Sequence, residues 1–279
     1  MFQVEKMDDD DFRFAVQLAN TMNWNMSSED FEFMMKLEPH GCFVLFDDQE
    51  RLGIATTVSF EKAGWFGNLV VTTDARREGA GNFLTKHAID YLKNTGVETI
   101  GLYAYPHLVS FYERFGFVSD IDFLVLKGNS LFPATQGVLQ PTRKRDVPKL
   151  IDFDRHWFGA NRKKFLEPML VKEGNLCFVS TENNMIKGYV AAKVYSKMAE
   201  VGPLICDTNF TEEALFLLKT MLSRLSSLEV FTCIPKKETA LLNMLYKAGL
   251  KKEFRVVRMF LGPAIAKNCI YVAESLERG

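Results

Sequence analysis

The sequence lacks an excess of either charge, because 34 lysines and arginines face 35 aspartates and glutamates along 279 residues. Binding of nucleic acid or an anionic membrane through overall charge needs a strong basic excess, which this balance excludes. The opening residues, MFQVEKMDDDDF, lack the basic start and apolar run of a secretory signal, and no stretch reaches the roughly 18 apolar residues of a membrane helix. We therefore expect a cytoplasmic protein without nucleic acid or membrane partners, whose oligomeric state the sequence leaves open.

Cysteine and histidine are scarce and are not grouped. The five cysteines form no C-x-x-C pair, and most lie in apolar runs such as CFVLF, a pattern typical of buried, reduced thiols. The four histidines lack the i, i+4 or close Cys/His spacing of metal sites. We expect no metal.

The chain repeats itself after 135 residues. With 47% hydrophobic and 25% charged residues it has an ordinary globular composition, and its length suggests two domains of roughly 130 residues. The run Cys42-Phe43-Val44 recurs as Cys177-Phe178-Val179, and the same shift pairs Gly67 with Gly202. We predict a first domain at residues 1–130, a Gly- and Pro-containing linker at 131–140, and a second domain at 141–279.

Both copies have the predicted order helix, strand, turn, strand, strand, helix, strand, helix. In the first copy, DDFRFAVQLANTM and SSEDFEFMMKL have apolar residues at helical spacing, with Ser27 or Ser28 as a helix cap. A helix from about Gly81 to Asn94 ends at Gly96, and a helix of the second copy begins near Thr211. The predicted strands are CFVLF, LGIATTVSF, WFGNLVV, ETIGLYAY, LCFVST, IKGYVAAKVY, EVGPLIC and LEVFTCI. The predicted fold is α/β, with a mixed sheet made twice.

The segment from Leu69 to Gly81 runs from a strand through a glycine-containing turn into a helix. Backbone N–H groups at a helix start lack partners inside the helix, and the helix dipole favours an anion there. Glycine allows an anion to approach the backbone closely. Arg76 and Arg77 add positive charge, so this turn is a candidate pyrophosphate site.

Two motifs here resemble those of the GNAT acyltransferases. Arg76, Gly79 and Gly81 form R-x-x-G-x-G, which is similar to the acetyl-CoA loop of that family, and Ser110–Phe117, reading SFYERFGF, resembles its LYxxxGF helix. The likeness extends over nearly the whole chain to a subgroup of tandem GNAT proteins with a diverged second lobe. It implies acetyl-CoA as co-substrate, bound by Leu69, Val70, Val71, Arg76, Arg77, Glu78, Gly79, Ala80, Gly81 and Asn82.

The second copy has lost this loop. The 135-residue shift places Thr211 opposite Arg76, Ala214 opposite Gly79 and Phe216 opposite Gly81. Glu212 and Glu213 would repel a pyrophosphate at the helix start. We therefore expect one acetyl-CoA site, in the first domain, while the second either covers the acceptor side of the first or only stabilises the protein.

The resemblance implies an N-acetyltransferase in which the primary amine of a small-molecule acceptor attacks the thioester directly. Tyr112 is the catalytic candidate, because a phenol with a pKa near 10 keeps its proton at pH 7 and can donate it to the departing thiolate. The backbone N–H of Val71, or a neighbour, is expected to bond the thioester oxygen. Tyr105 and His107 depart from the subgroup's pattern and are the candidate substrate-binding residues.

Several alternatives stay open at this point. The general base is among His107, Tyr105, Glu61 or a chain of waters. A non-catalytic acetyl-CoA-binding or sensing protein keeps the loop without turnover, and a transferase for a different acyl group keeps the fold with another donor. The sequence does not identify the acceptor.

Overall fold

The computed structural model describes residues 1–133, 139, 141–266 and 268–279, so that most of the predicted linker at 131–140 lies outside the described residues. The described chain divides into two units. The first comprises Met1–Leu102, Phe260–Pro263 and Arg278, and the second comprises Tyr103–Met259, Ala264–Glu277 and Gly279. Over the described ranges, no helix is both long enough and apolar enough to cross a membrane.

The first unit is built on five neighbouring strands. Its elements in chain order are β1 (Phe2–Lys6), α1 (Phe12–Asn20), α2 (Ser28–Leu37), β2 (Cys42–Asp47), β3 (Glu50–Phe60), β4 (Ala63–Val71), α3 (Ala80–Asn94) and β5 (Thr99–Ala104), whose last two residues are counted in the second unit. Strands β1 to β4 pair antiparallel in sequence order, and β5 lies parallel to β4. The mixed sheet predicted from the sequence is confirmed.

Local signals in the sequence set the helix ends of this unit. Ser27 and Asp30 form a capping box at the start of α2, which satisfies two backbone N–H groups that have no helical partner. Gly96, with φ of +86°, follows the end of α3, and its N–H donates to the carbonyl of Lys93 at 3.0 Å. These predicted ends are confirmed.

The second unit repeats the plan with further strands. Its elements are α4 (Val109–Glu113), β6 (Val118–Asn129), α5 (Val147–Phe158), α6 (Lys163–Val171), β7 (Leu176–Glu182), β8 (Met185–Val194), β9 (Met198–Asp207), α7 (Thr211–Arg224), β10 (Glu229–Pro235), α8 (Thr239–Lys247), β11 (Lys251–Leu261) and β12 (Cys269–Val272). Strands β11, β6, β10, β9, β8 and β7 lie side by side in that order, and β12 pairs with β9.

The backbone registers of the two units repeat the 135-residue shift. In the first unit Gly53 pairs with Val71 and Thr57 with Phe66, while the second unit pairs Gly188 with Cys206 and Ala192 with Val201. Adding 135 to the residue numbers of each pair in the first unit gives the residue numbers of a pair in the second unit. Both ladders also shift register between the two pairs. The repeat seen in the sequence is therefore a repeat of backbone pairing, including its irregularity.

A buried ion pair anchors the interior of the second unit. The carboxylate of Asp154 accepts hydrogen bonds from Nε and Nη2 of Arg162 at 3.1 and 2.6 Å, and from the hydroxyl of Tyr189 at 2.5 Å. Both charged side chains are fully buried, and the guanidinium lies 3.8 Å from the ring centroid of Phe158. Removing one partner of such a pair leaves the other charge buried and uncompensated.

Replacing Asp154 with Ala is expected to lower the free energy of unfolding by about 3–5 kcal/mol, because Arg162 keeps its charge without a counter-charge. Urea unfolding followed by circular dichroism measures the loss. Glu167→Ala is the matched control, since Glu167 faces Lys163 on an exposed helix surface at 4.0 Å and its removal should cost at most about 0.5 kcal/mol. A loss below about 1 kcal/mol for Asp154→Ala would contradict the prediction.

Candidate functional site

Strands β4 and β5 separate part-way along their length. Among the described residues, their parallel pairing consists of Ala63 with Thr99, Gly64 with Ile100 and Trp65 with Gly101. Beyond Trp65, β4 continues to Val71 and keeps its pairing with β3 on the other edge. The edge of β4 that faces β5 therefore opens toward the carboxyl ends of the two strands, where backbone groups need other partners.

An irregularity in β4 lies at the start of this opening. The register between β3 and β4 shifts between Ile54, paired with Val70, and Thr56, paired with Gly67. Asn68 has φ of +51°, and its side-chain Nδ2 donates to the hydroxyl of Thr56 at 3.0 Å. Such a bulge re-aims backbone groups locally. Along β4, only Gly67 to Leu69 are partly exposed, so this is where a ligand has access to the strand.

Trp65 lies at the inner end of the opening, in the last described residue pair between β4 and β5. This side chain is fully buried, and its indole contacts the ring of Phe260 edge-on, with centroids 5.9 Å apart. It covers Gly101 on the neighbouring strand, where an added Cβ would lie 2.7 Å from Cε3 of the indole. A larger residue than glycine at position 101 does not fit. The paired end of the two strands is thus filled with aromatic side chains.

At the outer end, the chain turns through Asp74–Arg77, a short 3-10 helix, into α3. Gly79 precedes the first residue of α3 with φ of +89°, and a Cβ placed there would meet nothing within 4 Å. The first turn of α3 contains no acidic residue, and none of the side chains that the structure describes caps its N–H groups. The space beside Gly79 is open, and backbone N–H groups at a helix start favour an anion.

The side chain of Arg76 lies beside the same turn. It is exposed, and its Nε donates to the carbonyl of Val71 at 3.3 Å, which ties the turn to the last residue of β4. The side chain of Arg77 lies outside the described part of the chain, so the charge expected from it stays a prediction. Glu78 and Asn82 are exposed, Gly81 is partly exposed and Ala80 is buried.

Family models recognise both halves of this architecture. A model described as "Acetyltransferase (GNAT) domain" matches residues 11–133, and a second model with the same description matches residues 150–271. Together they account for most of the chain. The chain belongs to the GNAT superfamily. It is a tandem GNAT protein, and its two domains place it among the acyltransferases.

Solved structures share the tandem fold. A Pyrococcus horikoshii protein, provisionally assigned as an acetyltransferase, has a TM-score of 0.80 at 22% identity, covering 100% of this chain and 96% of its own. A GCN5-related N-acetyltransferase from Sphaerobacter thermophilus has a TM-score of 0.69 at 15% identity, with coverage of 95% and 98%. A tandem GNAT protein from the clavulanic acid biosynthesis pathway has a TM-score of 0.64 at 12% identity, with coverage of 95% and 100%. These likenesses show the fold alone.

The second unit of this chain differs from the first at the position equivalent to the glycine turn. Helix α7 already begins at Thr211, whereas the 135-residue shift would start it at residue 215. The residues opposite the glycine turn are therefore helical. Glu212 and Glu213 lie in the first turn of α7, and Phe216 is 41% exposed. The acidic first turn expected from the sequence is present, and it disfavours an anion.

Tyr112 lies in α4, within the second unit. Its side chain is buried, and its ring packs edge-on against Phe111 and Phe117 with centroid distances of 5.0 and 6.0 Å. Burial raises the pKa of its hydroxyl above the ordinary value near 10, because the phenolate would lose its hydration. When the two copies are aligned on the glycine that follows each helix, Gly116 and Gly249, the position opposite Tyr112 is Leu245, which is fully buried and carries no proton to donate.

Tyr105 and His107 come together at the end of β5 and on the short helix that follows. Their rings stack with centroids 5.8 Å apart and an interplanar angle of 16°. Tyr105 also contacts the ring of Phe254, with centroids 5.6 Å apart, and His107 is exposed. Glu61, another candidate base, lies in the turn before β4, at the end of the strand opposite the glycine turn. The role of each stays a prediction.

Sequence reasoning missed three polar residues that lie on or beside β3 and β4. Asn68 could have been noticed, because Gly67-Asn68 inside a strand is a signal for a bulge. Thr72 follows β4 directly, and its hydroxyl is buried without a hydrogen-bond partner among the described residues. Glu38 accepts from the N–H and hydroxyl of Ser59, both at 2.8 Å, and from the hydroxyl of Tyr91 at 2.7 Å. Since Tyr91 belongs to α3, Glu38 fixes that helix against β3.

Proposed function

We propose that the protein transfers an acetyl group from acetyl-CoA to a primary amine of a small-molecule acceptor by direct attack of the amine. The observation that carries this is the opening between β4 and β5, which ends at an uncapped, glycine-preceded helix start. The residues of the first unit fit CoA: a strand edge for an extended arm and a cluster of N–H donors for a diphosphate. The bound molecule would supply an activated acyl thioester.

The direction of binding follows from the order of these features. The diphosphate belongs at the helix start, where the backbone amides near Gly79, Ala80, Gly81 and Asn82 and the charge of Arg76 favour it. The pantetheine arm then lies along β4 toward Trp65, beside Leu69, Val70 and Val71. The partly exposed bulge at Gly67–Leu69 gives the backbone N–H of Val71 or a neighbour access to the thioester oxygen, where a donor stabilises developing charge.

The inner end of the opening supports a short acyl group. Trp65 and Phe260 fill the space at the point where β4 and β5 begin to pair, so a long chain pointing that way would meet buried indole. This favours acetyl over the longer acyl groups of the alternative reading. Direct attack by the amine needs no nucleophilic side chain. The strand edge has only to hold the thioester and to donate a backbone N–H to its oxygen.

Tyr112 is the proposed general acid. Its raised pKa keeps the phenol protonated at neutral pH, and the departing thiolate is the base that would take this proton as the thioester bond breaks. Tyr105 and His107 are the proposed contacts of the acceptor, and which of them, Glu61 or a water takes the amine proton stays open.

Binding of CoA tests the proposed site directly. Isothermal titration calorimetry is expected to find one CoA per chain, and Gly79→Val should weaken it by about 10- to 100-fold, because the side chain covers the amide cluster. Gly174→Val is the matched control: Gly174 also has a positive φ, +91°, with nothing within 4 Å of an added Cβ. Absence of CoA binding, or equal weakening by both variants, would refute the site.

Replacing Tyr112 with Phe should lower kcat by on the order of 10²-fold while the Kd for CoA stays unchanged, since only the proton is lost. Release of CoA during incubation with a panel of amines measures turnover. Tyr246→Phe, at an exposed tyrosine of α8, is the control and should retain full activity. Near-normal turnover of Tyr112→Phe would remove Tyr112 from the mechanism.

The raised pKa of Tyr112 also predicts a pH profile. Because the folded protein holds this proton more tightly than a free phenol, kcat should not fall between about pH 8 and about pH 10 through loss of it. The measurement is kcat with saturating acetyl-CoA and amine across that range. A descending limb below pH 10 that disappears in Tyr112→Phe would show that the proton is held less tightly than burial indicates.

A further inference from the structure

Strand β12 lies in the second unit at a place where two strands would otherwise separate. Strands β9 and β10 pair in parallel from Met198 with Glu229 to Val201 with Thr232. Beyond Val201, the edge of β9 that faces β10 is taken by β12, which runs antiparallel to it from Leu204 to Asp207. On its other side, Ala273 bridges Cys233 of β10, and its N–H donates to the carbonyl of Cys233 at 2.9 Å.

This place corresponds to the opening in the first unit. Adding 135 to Leu69, Val70 and Val71 gives Leu204, Ile205 and Cys206, which are the residues of β9 paired with Val272, Tyr271 and Ile270. The edge of β9 that is equivalent to the open edge of β4 beyond Trp65 is therefore covered by β12. The counterpart of the CoA cleft already contains an extended backbone.

The fit of β12 is close. Every residue from Cys269 to Ala273 is at most 2% exposed. A Cβ on Gly202, the residue equivalent to Gly67, would overlap the carbonyl oxygen of Ala273, so only glycine allows the segment to approach β9 this closely. The hydroxyl of Tyr271 lies 3.4 Å from Nη1 of the buried Arg162, which ties β12 to the ion pair with Asp154.

We propose that β12 occupies the cleft of the second unit, at the position equivalent to the one proposed for the pantetheine arm in the first unit. The second unit is then unable to bind CoA for a reason separate from its lost glycine turn. The inference rests on the proposed function only for the identity of the ligand, since the occupied cleft is a matter of backbone pairing. It predicts that restoring the turn does not restore binding.

The test rebuilds the turn in the otherwise intact chain with Thr211→Arg, Glu212→Arg, Ala214→Gly and Phe216→Gly, which reproduces Arg76, Arg77, Gly79 and Gly81 at the shifted positions. Calorimetric titration with CoA is expected to give the same stoichiometry as the parent, one CoA per chain. Unchanged first-site affinity and circular dichroism serve as controls for folding. A second CoA per chain would overturn the proposal.

Hydrogen–deuterium exchange provides a readout that does not need CoA. Backbone amides of residues 270–272 are expected to be protected as strongly as those of central β9, and Gly202→Val should speed their exchange by at least about 10-fold by pushing Ala273 away. Gly174→Val should leave it unchanged. Fast exchange of β12 in the parent, or no effect of Gly202→Val, would overturn the proposal. Failure of the parent to bind CoA would instead refute the proposed function. The exchange rates of residues 270–272 would then still decide whether β12 occupies the cleft of the second unit.

Discussion

A parallel strand pair that stops pairing half-way creates backbone donors and acceptors that must be satisfied by something else. Buried peptide groups without partners cost about 1–3 kcal/mol each, so such an opening persists only where water, a ligand or another segment enters it. In this protein the separation of β4 from β5 beyond Trp65 is that opening. The bulge at Asn68, the buried indole of Trp65 and the glycine turn before α3 all lie along this opening.

The two units meet this constraint differently. In the second unit, β12 supplies the missing backbone partners for β9, and the interior is completed by Tyr271 and the buried pair of Arg162 and Asp154. In the first unit the strand edge stays accessible at Gly67–Leu69. Two copies with matching registers therefore differ in what lies against the same strand edge, and that difference separates the proposed CoA site from its closed counterpart.

Much of the fold could be predicted from the sequence because its signals are local. The helix ends at Ser27 and Gly96 depend on neighbouring residues, and the 135-residue repeat is visible as a shift of short motifs. The role of β12 could not be predicted, since CIYV is a short apolar run whose partner β9 lies about 65 residues earlier and is already predicted as a strand of its own. Pairing between distant segments leaves no periodic trace in either of them.

The candidate site divides in the same way. The glycine turn could be located because it joins a strand to a helix within a dozen residues, whereas Glu38 and Thr72 carry no pattern that sets them apart from surface polar residues. The buried carboxylate of Glu38 gains its three hydrogen bonds only when α2, β3 and α3 have packed. Such residues are found from tertiary contacts, not from spacing.

The occupied cleft also accounts for the sequence at the start of α7. With β12 in place no anionic ligand needs the N–H groups there, so the helix can begin at Thr211 and extend through the positions that form the glycine turn in the first unit. Glu212 and Glu213 then favour the positive end of the helix dipole, each by about 0.3–1 kcal/mol, instead of opposing a diphosphate. The filled cleft removes the need for glycine and arginine at these positions, and helix stability alone is enough to favour the acidic residues that replace them.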